Sequence, residues 1–260
     1  MQLNQNTNHR QVYSACRYYL KGKIMKYLNF ANPIKSNEQP ETLLTLIDLS
    51  GSMEISDMKP TRRAAAIKAN QEIVKAKRQQ HPGDKIGVIG FQSSAKLLLP
   101  PALPSKIVGL EKTIDNAILT GGTDFVAPLK LAYSCFFGRA ITASGNPITK
   151  MLSSFFFEPG IDKCLSITSG NDKTTKRIII LTDGEHLGDD NPTNIATRLK
   201  KAGVIIDCIG IGGSPKDVDE KLLKQIASRN ADGSIRYCFI GDQQKLLRKY
   251  QTLAHHIRAI

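Results

Sequence analysis

Tryptophan is absent from the 260 residues, and phenylalanine and tyrosine bring the aromatic share to only 6%. A core with so few rings must be packed mainly from Ile, Leu, Val and Ala, a composition that suits helices laid on a sheet. No apolar stretch approaches the roughly 20 residues a membrane-crossing helix needs, so no membrane span is expected. The five cysteines, Cys16, Cys135, Cys164, Cys208 and Cys238, are odd in number and widely spaced, with no CxxC and no Cys/His pattern. This excludes the usual cysteine-built zinc modules and points to free thiols in a reducing, cytoplasmic setting. Cys208 and Cys238 stand in apolar runs, where a thiol acts as a small core residue. Tyr13-Ser14-Ala15-Cys16 has the outline of a lipoprotein cleavage box, but the residues before it are polar, so no signal peptide is expected. Acidic residues are also scarce, 23 against 36 Lys and Arg, for a formal charge of +13. The basic residues are dispersed and never interleave with aromatics in a run. That argues against nucleic acid as the partner and for a solvated exterior.

What is present is ordinary globular material: 41% hydrophobic and 23% charged residues, enough for a packed core. Residues 1–41 stand apart. Val12, Cys16, Tyr19, Leu20, Ile24, Tyr27 and Leu28 recur at helical spacing behind a possible cap at Asn8, with Lys21, Lys23 and Lys26 on the other side. Such an amphipathic helix docks on its own domain more often than on a membrane. Asn32-Pro33 and Gln39-Pro40 mark a linker.

From residue 42 to 260 strands and helices alternate. The pattern predicts strands over 42–48, 85–91, 177–182, 204–211 and 235–240. A brief edge strand over 95–99 should stop at Pro100-Pro101. Helices are predicted over 60–79, 105–119, 124–137, 191–202, 216–229 and 242–260. Short apolar strands between amphipathic helices imply a Rossmann-like α/β fold: a doubly wound, mostly parallel sheet with helices on both faces. Residues 138–176 interrupt the rhythm. They form an insertion far longer than an ordinary connection, and Phe155-Phe156-Phe157 within it calls for packing rather than solvent.

In sheets of this kind ligands collect beyond the carboxyl ends of the strands. Three stretches fall there. Asp48-Leu49-Ser50-Gly51-Ser52-Met53 follows the first strand, with Gly51 expected to give the loop its freedom to curve. Thr120-Gly121-Gly122-Thr123-Asp124 brings a hydroxyl out of a glycine turn, and Asp124 suits a helix cap. Leu181-Thr182-Asp183-Gly184-Glu185 ends another strand in a carboxylate. Taken singly, each hydroxyl or carboxylate is ordinary capping or turn chemistry. Glu185, His186, Asp189 and Asp190 lie close by in sequence, either tuning the site or as solvated loop charge. The pair His255-His256 has no companion at metal spacing.

These three places, in this order, resemble the von Willebrand factor type A family. The family's signature of Asp-x-Ser-x-Ser, a later Thr and a later Asp falls on Asp48, Ser50, Ser52, Thr123 and Asp183. The resemblance covers roughly residues 42–258 and implies a complete metal-ion-dependent adhesion site in an intracellular, bacterial-type member. Ser50, Ser52 and Thr123 would contact a Mg²⁺ or Mn²⁺ ion, which oxygen donors favour. Asp48 and Asp183 would act through bound water. The implied function is an adaptor, not an enzyme, that offers the ion's open position to an acidic side chain of a partner protein. Relatives suggest an AAA+ ATPase or a kinase and phosphatase system as that partner. The insertion 138–176 and the N-terminal helix depart from the family pattern.

Two other classes remain open. A haloacid dehalogenase-like phosphatase also has an Asp after its first strand, but it needs a second Asp where this chain has Ser50. The other is an interaction module that works without metal. There is no P-loop and no nucleophile elbow, and Gly210-x-Gly212-Gly213 lacks a dinucleotide continuation.

Overall fold

In the computed structural model, residues 39–117, 121–138 and 174–254 are described. The expected N-terminal helix, most of the insertion, and His255-His256 lie outside them. Six strands form one sheet: β1 (Glu41–Asp48), β2 (Lys85–Phe91), β3 (Ala95–Ala102), β4 (Thr175–Thr182), β5 (Ile205–Ile211) and β6 (Tyr237–Ile240). Their order is β3-β2-β1-β4-β5-β6. Every pairing is parallel except β2 with β3. Successive strands walk one way from β1 to β3 and the other way from β4 to β6. The order therefore reverses between β1 and β4, which opens a crevice at their carboxyl ends.

The strands read as nearly continuous apolar runs because both faces are covered. Alternate residues go to opposite sides. Leu43, Ile47, Ile179 and Leu181 pack with α1 (Arg62–Gln80), α2 (Leu110–Asp115) and α6 (Gln243–Ala254). Leu44, Leu46, Ile178 and Ile180 pack with α3 (Val126–Phe137), α4 (Pro192–Lys201) and α5 (Glu220–Ile226). Among these helices α4 buries Ile195 and Leu199, and α6 buries Leu246 and Tyr250. The expected doubly wound architecture is what forms.

Three expectations need correction. β3 runs through Pro100 and Pro101 rather than stopping there. It is an edge strand, and its pairing with β2 slips between Ile86 and Val88, so the two prolines fall at a bulge on the rim of the sheet, where missing N–H groups are tolerated,. The helix expected over 105–119 is only Leu110–Asp115, because Gly109 turns left-handed at φ 67° and a short 3-10 turn, Pro104–Lys106, precedes it. The helix over 216–229 likewise divides into a 3-10 turn, Pro215–Asp217, and α5.

At the amino ends of the strands, charges alternate through the interior. Lys77 Nζ lies 2.6 Å from Asp84 and 2.5 Å from Glu41. Glu41 is 3.7 Å from Arg177, whose Nε reaches Asp207 at 2.7 Å, and Asp207 accepts from Arg236 at 2.9 Å. Arg177 is wholly buried and also donates to the Leu253 carbonyl at 2.7 Å, tying α6 to the sheet. Removing Lys77 leaves Asp84 buried without its cation and Glu41 with Arg177 alone, at 3.7 Å,. Lys77→Met should therefore lower the unfolding free energy by about 3–5 kcal/mol, read from the urea midpoint at unchanged slope. A loss under about 1 kcal/mol would show that solvent screens the row like a surface pair.

Candidate metal centre

All five residues singled out in the sequence come together in the crevice between β1 and β4. Asp48 closes β1 and is fully buried. Its Oδ1 accepts the Ser50 backbone N–H at 2.9 Å. Its Oδ2 accepts from the Thr182 hydroxyl at 2.7 Å and from the Thr123 hydroxyl at 3.3 Å. Ser50 and Ser52 Oγ are 3.0 Å apart, and Ser52 Oγ donates to Asp183 Oδ1 at 2.8 Å. A hydroxyl has one proton, so Ser52 gives its proton to Asp183 and accepts from Ser50. The hydroxyl protons of Ser52 and Thr123 are thus turned onto carboxylates, which leaves oxygen lone pairs on both for another ligand.

Backbone bonds fix the loops that carry these groups. Leu49 N–H donates to the Phe91 carbonyl at 2.9 Å, and Asp124 N–H to the Gln92 carbonyl at 2.8 Å. The Gln92 side-chain amide donates to the Leu49 carbonyl. Loops after β1, after β2 and before α3 are therefore one hydrogen-bonded unit. Asp124 Oδ1 accepts the Val126 N–H at 2.7 Å from one residue before the N-cap, Phe125, so it satisfies the helix's first N–H without being the cap residue expected of it. Gly184 has a steric reason: a Cβ there would lie 2.7 Å from Thr123 Oγ1. Gly51 does not have the reason given to it, since its φ is not positive and a Cβ would meet nothing. Ser52 is presented instead by the 3-10 turn Gly51–Glu54.

Sequence reasoning missed two participants. Thr182 holds Asp48 while its Oγ1 accepts the Gly184 N–H at 3.1 Å. It stands beside Asp183 at the strand end, and nothing local in the sequence shows that its hydroxyl turns to Asp48. Arg62 is 5% exposed and donates to Asp183 Oδ2 at 2.8 Å, while two further nitrogens grip Asp57 at 2.9 and 2.5 Å. A signal existed: Arg62 opens a helix, the end where the macrodipole disfavours a cation. Such a breach of local preference tends to mark a site. His186 also has a definite task. Its Nδ1 accepts the Phe125 N–H at 3.2 Å, so Nε2 carries the proton and donates to the Asp190 carbonyl at 2.8 Å. Stacked on Phe125, it clamps the loop after Asp183.

The electrostatics of the two carboxylates differ from those of surface aspartates. Burial pushes the Asp48 carboxyl above its usual range, against the lowering effect of the Thr182 and Ser50 hydrogen bonds. Burial also raises Asp183, and the Arg62 guanidinium only partly offsets it. Among the described residues no side-chain cation pairs with Asp48, and no three His, Cys, Asp or Glu side chains cluster as in a zinc site. Among the described residues the side-chain groups gathered here are hydroxyls and two carboxylates, a donor set of oxygen alone. The donors fit a small hard ion: neighbouring ligand oxygens of an octahedron with bonds of about 2.1 Å stand roughly 3.0 Å apart, the spacing of the Ser50 and Ser52 oxygens.

Residues 43–186 match the profile of the von Willebrand factor type A domain, and residues 159–251 match a second profile of the same description. The chain belongs to the von Willebrand factor type A family. This is a family of protein-interaction modules, many of which carry a divalent metal site. YfbK of Escherichia coli strain K12 is 28% identical over 232 residues, 86% of this chain and 33% of that protein. A UPF0353 protein of Mycobacterium sp. strain KMS is 26% identical over 224 residues, 78% of this chain and 58% of that protein. The chain thus spans a third to somewhat over half the length of these relatives. Among solved structures, a von Willebrand factor type A protein from Catenulispora acidiphila superposes with a TM-score of 0.53 at 18% identity, covering 83% of this chain and 42% of that one. Proximal thread matrix protein 1 from the mussel byssus, solved with zinc in its MIDAS motif, gives 0.56 at 21% identity, over 84% and 48%. Both likenesses speak to the fold.

The burial of Asp48 with no side-chain cation beside it among the described residues has a measurable consequence. A raised carboxyl pKa means that the ionised form is worse off folded than unfolded. The penalty is in full force above the folded pKa and gone below the unfolded value near 3.8. In EDTA at pH 7, Asp48→Asn should melt at or above the wild-type temperature, and its advantage should shrink as the pH falls toward 4. A melting temperature several degrees lower at pH 7 would contradict this assignment of the cost.

Proposed function

We propose that this chain is a metal-dependent protein-interaction domain in which Ser50, Ser52, Thr123, Asp48 and Asp183 hold one Mg²⁺ or Mn²⁺ ion. The observation that carries this reading is a fully buried carboxylate, Asp48, whose partners among the described residues are neutral donors. Three hydroxyl oxygens with lone pairs to offer stand in the same cluster. Two buried carboxylates and one guanidinium leave a negative balance that a dication relieves. The ion would supply Lewis acidity at a position left open to a carboxylate of the partner.

The protein's own groups do the rest. Asp183 orients Ser52 through Oδ1 while Arg62 holds Oδ2 in place. Thr182 and Thr123 fix the plane of Asp48. No group here is set up as a nucleophile. The position a phosphatase would fill with its acid is Ser50, so that reading is not favoured. The absence of His or Cys among the five donors favours Mg²⁺ or Mn²⁺ over zinc. Because the mussel byssal protein carries zinc in its motif, a zinc arm belongs in the test.

Titration calorimetry of the metal-free protein should show one Mn²⁺ equivalent. Asp48→Ala and Ser52→Ala should each weaken it by about tenfold or more. Unchanged Mn²⁺ affinity in Asp48→Ala would falsify the site. Tighter retention of Zn²⁺ than of Mn²⁺ after dialysis would keep the site but change its metal.

A further inference from the structure

Three large apolar side chains are exposed among the described residues: Ile55, Val108 and Leu187, at 48%, 85% and 71%. Single exposed apolar residues are common and carry no message. Their placement does. Val108 follows β3, which ends at Ala102 opposite Ile86, at the amino end of the sheet and far from the crevice. The other two stand on the loops that bear the site.

Ile55 N–H donates to the Ser52 carbonyl at 3.1 Å, and its own carbonyl accepts the Arg62 N–H at 3.0 Å. Its backbone is thus pinned to one candidate metal donor and to the arginine that holds Asp183. Leu187 N–H donates to the Thr123 carbonyl at 2.8 Å. Its side chain lies across Gly122, where an added Cβ would meet Leu187 Cδ1 at 2.7 Å. Both residues therefore have their backbones fixed to segments that bear site residues, and the Leu187 side chain also rests against Gly122, while most of Leu187 and half of Ile55 face solvent. Rigidly presented apolar surface beside a polar centre is how an interaction site is built, with affinity and orientation divided between the two.

We propose that Ile55 and Leu187 are the apolar rim of this site and that its partner is a protein segment bearing a carboxylate next to a bulky aliphatic side chain. The inference rests on the reading of the centre as a metal site that accepts a carboxylate. The carboxylate meets the ion, and the neighbouring aliphatic group covers the rim and excludes water from the bond. The chain's charge of +13 favours an acidic partner and opposes a second copy of itself,.

The test uses the full chain and a displayed library of random heptapeptides with a fixed central aspartate, bound in Mn²⁺ and released by EDTA. Released peptides should be enriched in Leu, Ile, Val or Met beside the aspartate. Replacing such a residue by Ser should weaken binding about tenfold. The double variant Ile55→Ser, Leu187→Ser should lose the aliphatic preference while keeping its melting temperature and a Mn²⁺ affinity within about twofold of wild type. Released peptides with no aliphatic enrichment, or the same enrichment from the double variant, would overturn the rim alone. If Mn²⁺ binds and no peptide is released by EDTA, the interaction reading itself fails and the rim with it.

Discussion

One buried carboxylate sets the upper end of this molecule. Asp48 sits where β1 leaves the sheet, and its two oxygens accept from the loop after β1, from the threonine before α3 and from the last residue of β4. A group so placed cannot be left unsatisfied, because an ionised carboxylate out of water is far costlier than a neutral polar group. Each donor it recruits belongs to a different segment. Satisfying one side chain therefore fixes three loops relative to each other, and the hydroxyls on those loops become a cluster.

The two ends of the sheet handle buried charge in opposite ways. At the amino ends, Asp84, Lys77, Glu41, Arg177, Asp207 and Arg236 alternate in sign, so charge is balanced within the protein. At the carboxyl ends, Asp48 has no side-chain cation beside it among the described residues, and Asp183 has Arg62, which is itself divided among Asp57, Asp183 and, at 3.4 Å, Asp217. The first arrangement is closed and structural. The second is incomplete, and the incompleteness lies where the strand order reverses and the backbone leaves a crevice. A row of paired charges shapes the domain; a buried carboxylate without a cation beside it, among hydroxyls with lone pairs to offer, is what the proposed ion would answer.

The site's surroundings show the same division. His186 clamps the loop after Asp183 through Phe125 and Asp190, and the Gln92 amide ties the loop after β2 to Leu49. These bonds hold the loops before any ligand arrives, which lowers the ordering cost of binding. Leu187 and Ile55 are presented on that framework, not on mobile chain.

Much was legible before the fold was seen. Runs such as Leu43–Ile47 and Ile178–Leu181 announced strands buried on both faces, and the alternation with helices announced a parallel sheet, because hydrophobic period is a local property of the chain. The five site residues were legible too, since each sits next to a strand end or a glycine turn that the sequence marks. Local pattern misjudged β3, whose two prolines are tolerable only on an edge, and an edge is defined by the whole sheet. It divided neither the helix at Gly109 nor the one at Asp217. Only tertiary structure decided that Arg62 reaches Asp183 across 121 residues and that Thr182 turns toward Asp48 across 134. The row from Asp84 to Arg236 and the meeting of Ile55 and Leu187 around one centre were equally out of reach of sequence. The reason is the same in each case: these groups are neighbours through strand order, and strand order is set by packing between distant segments rather than by any residue's own surroundings in the chain.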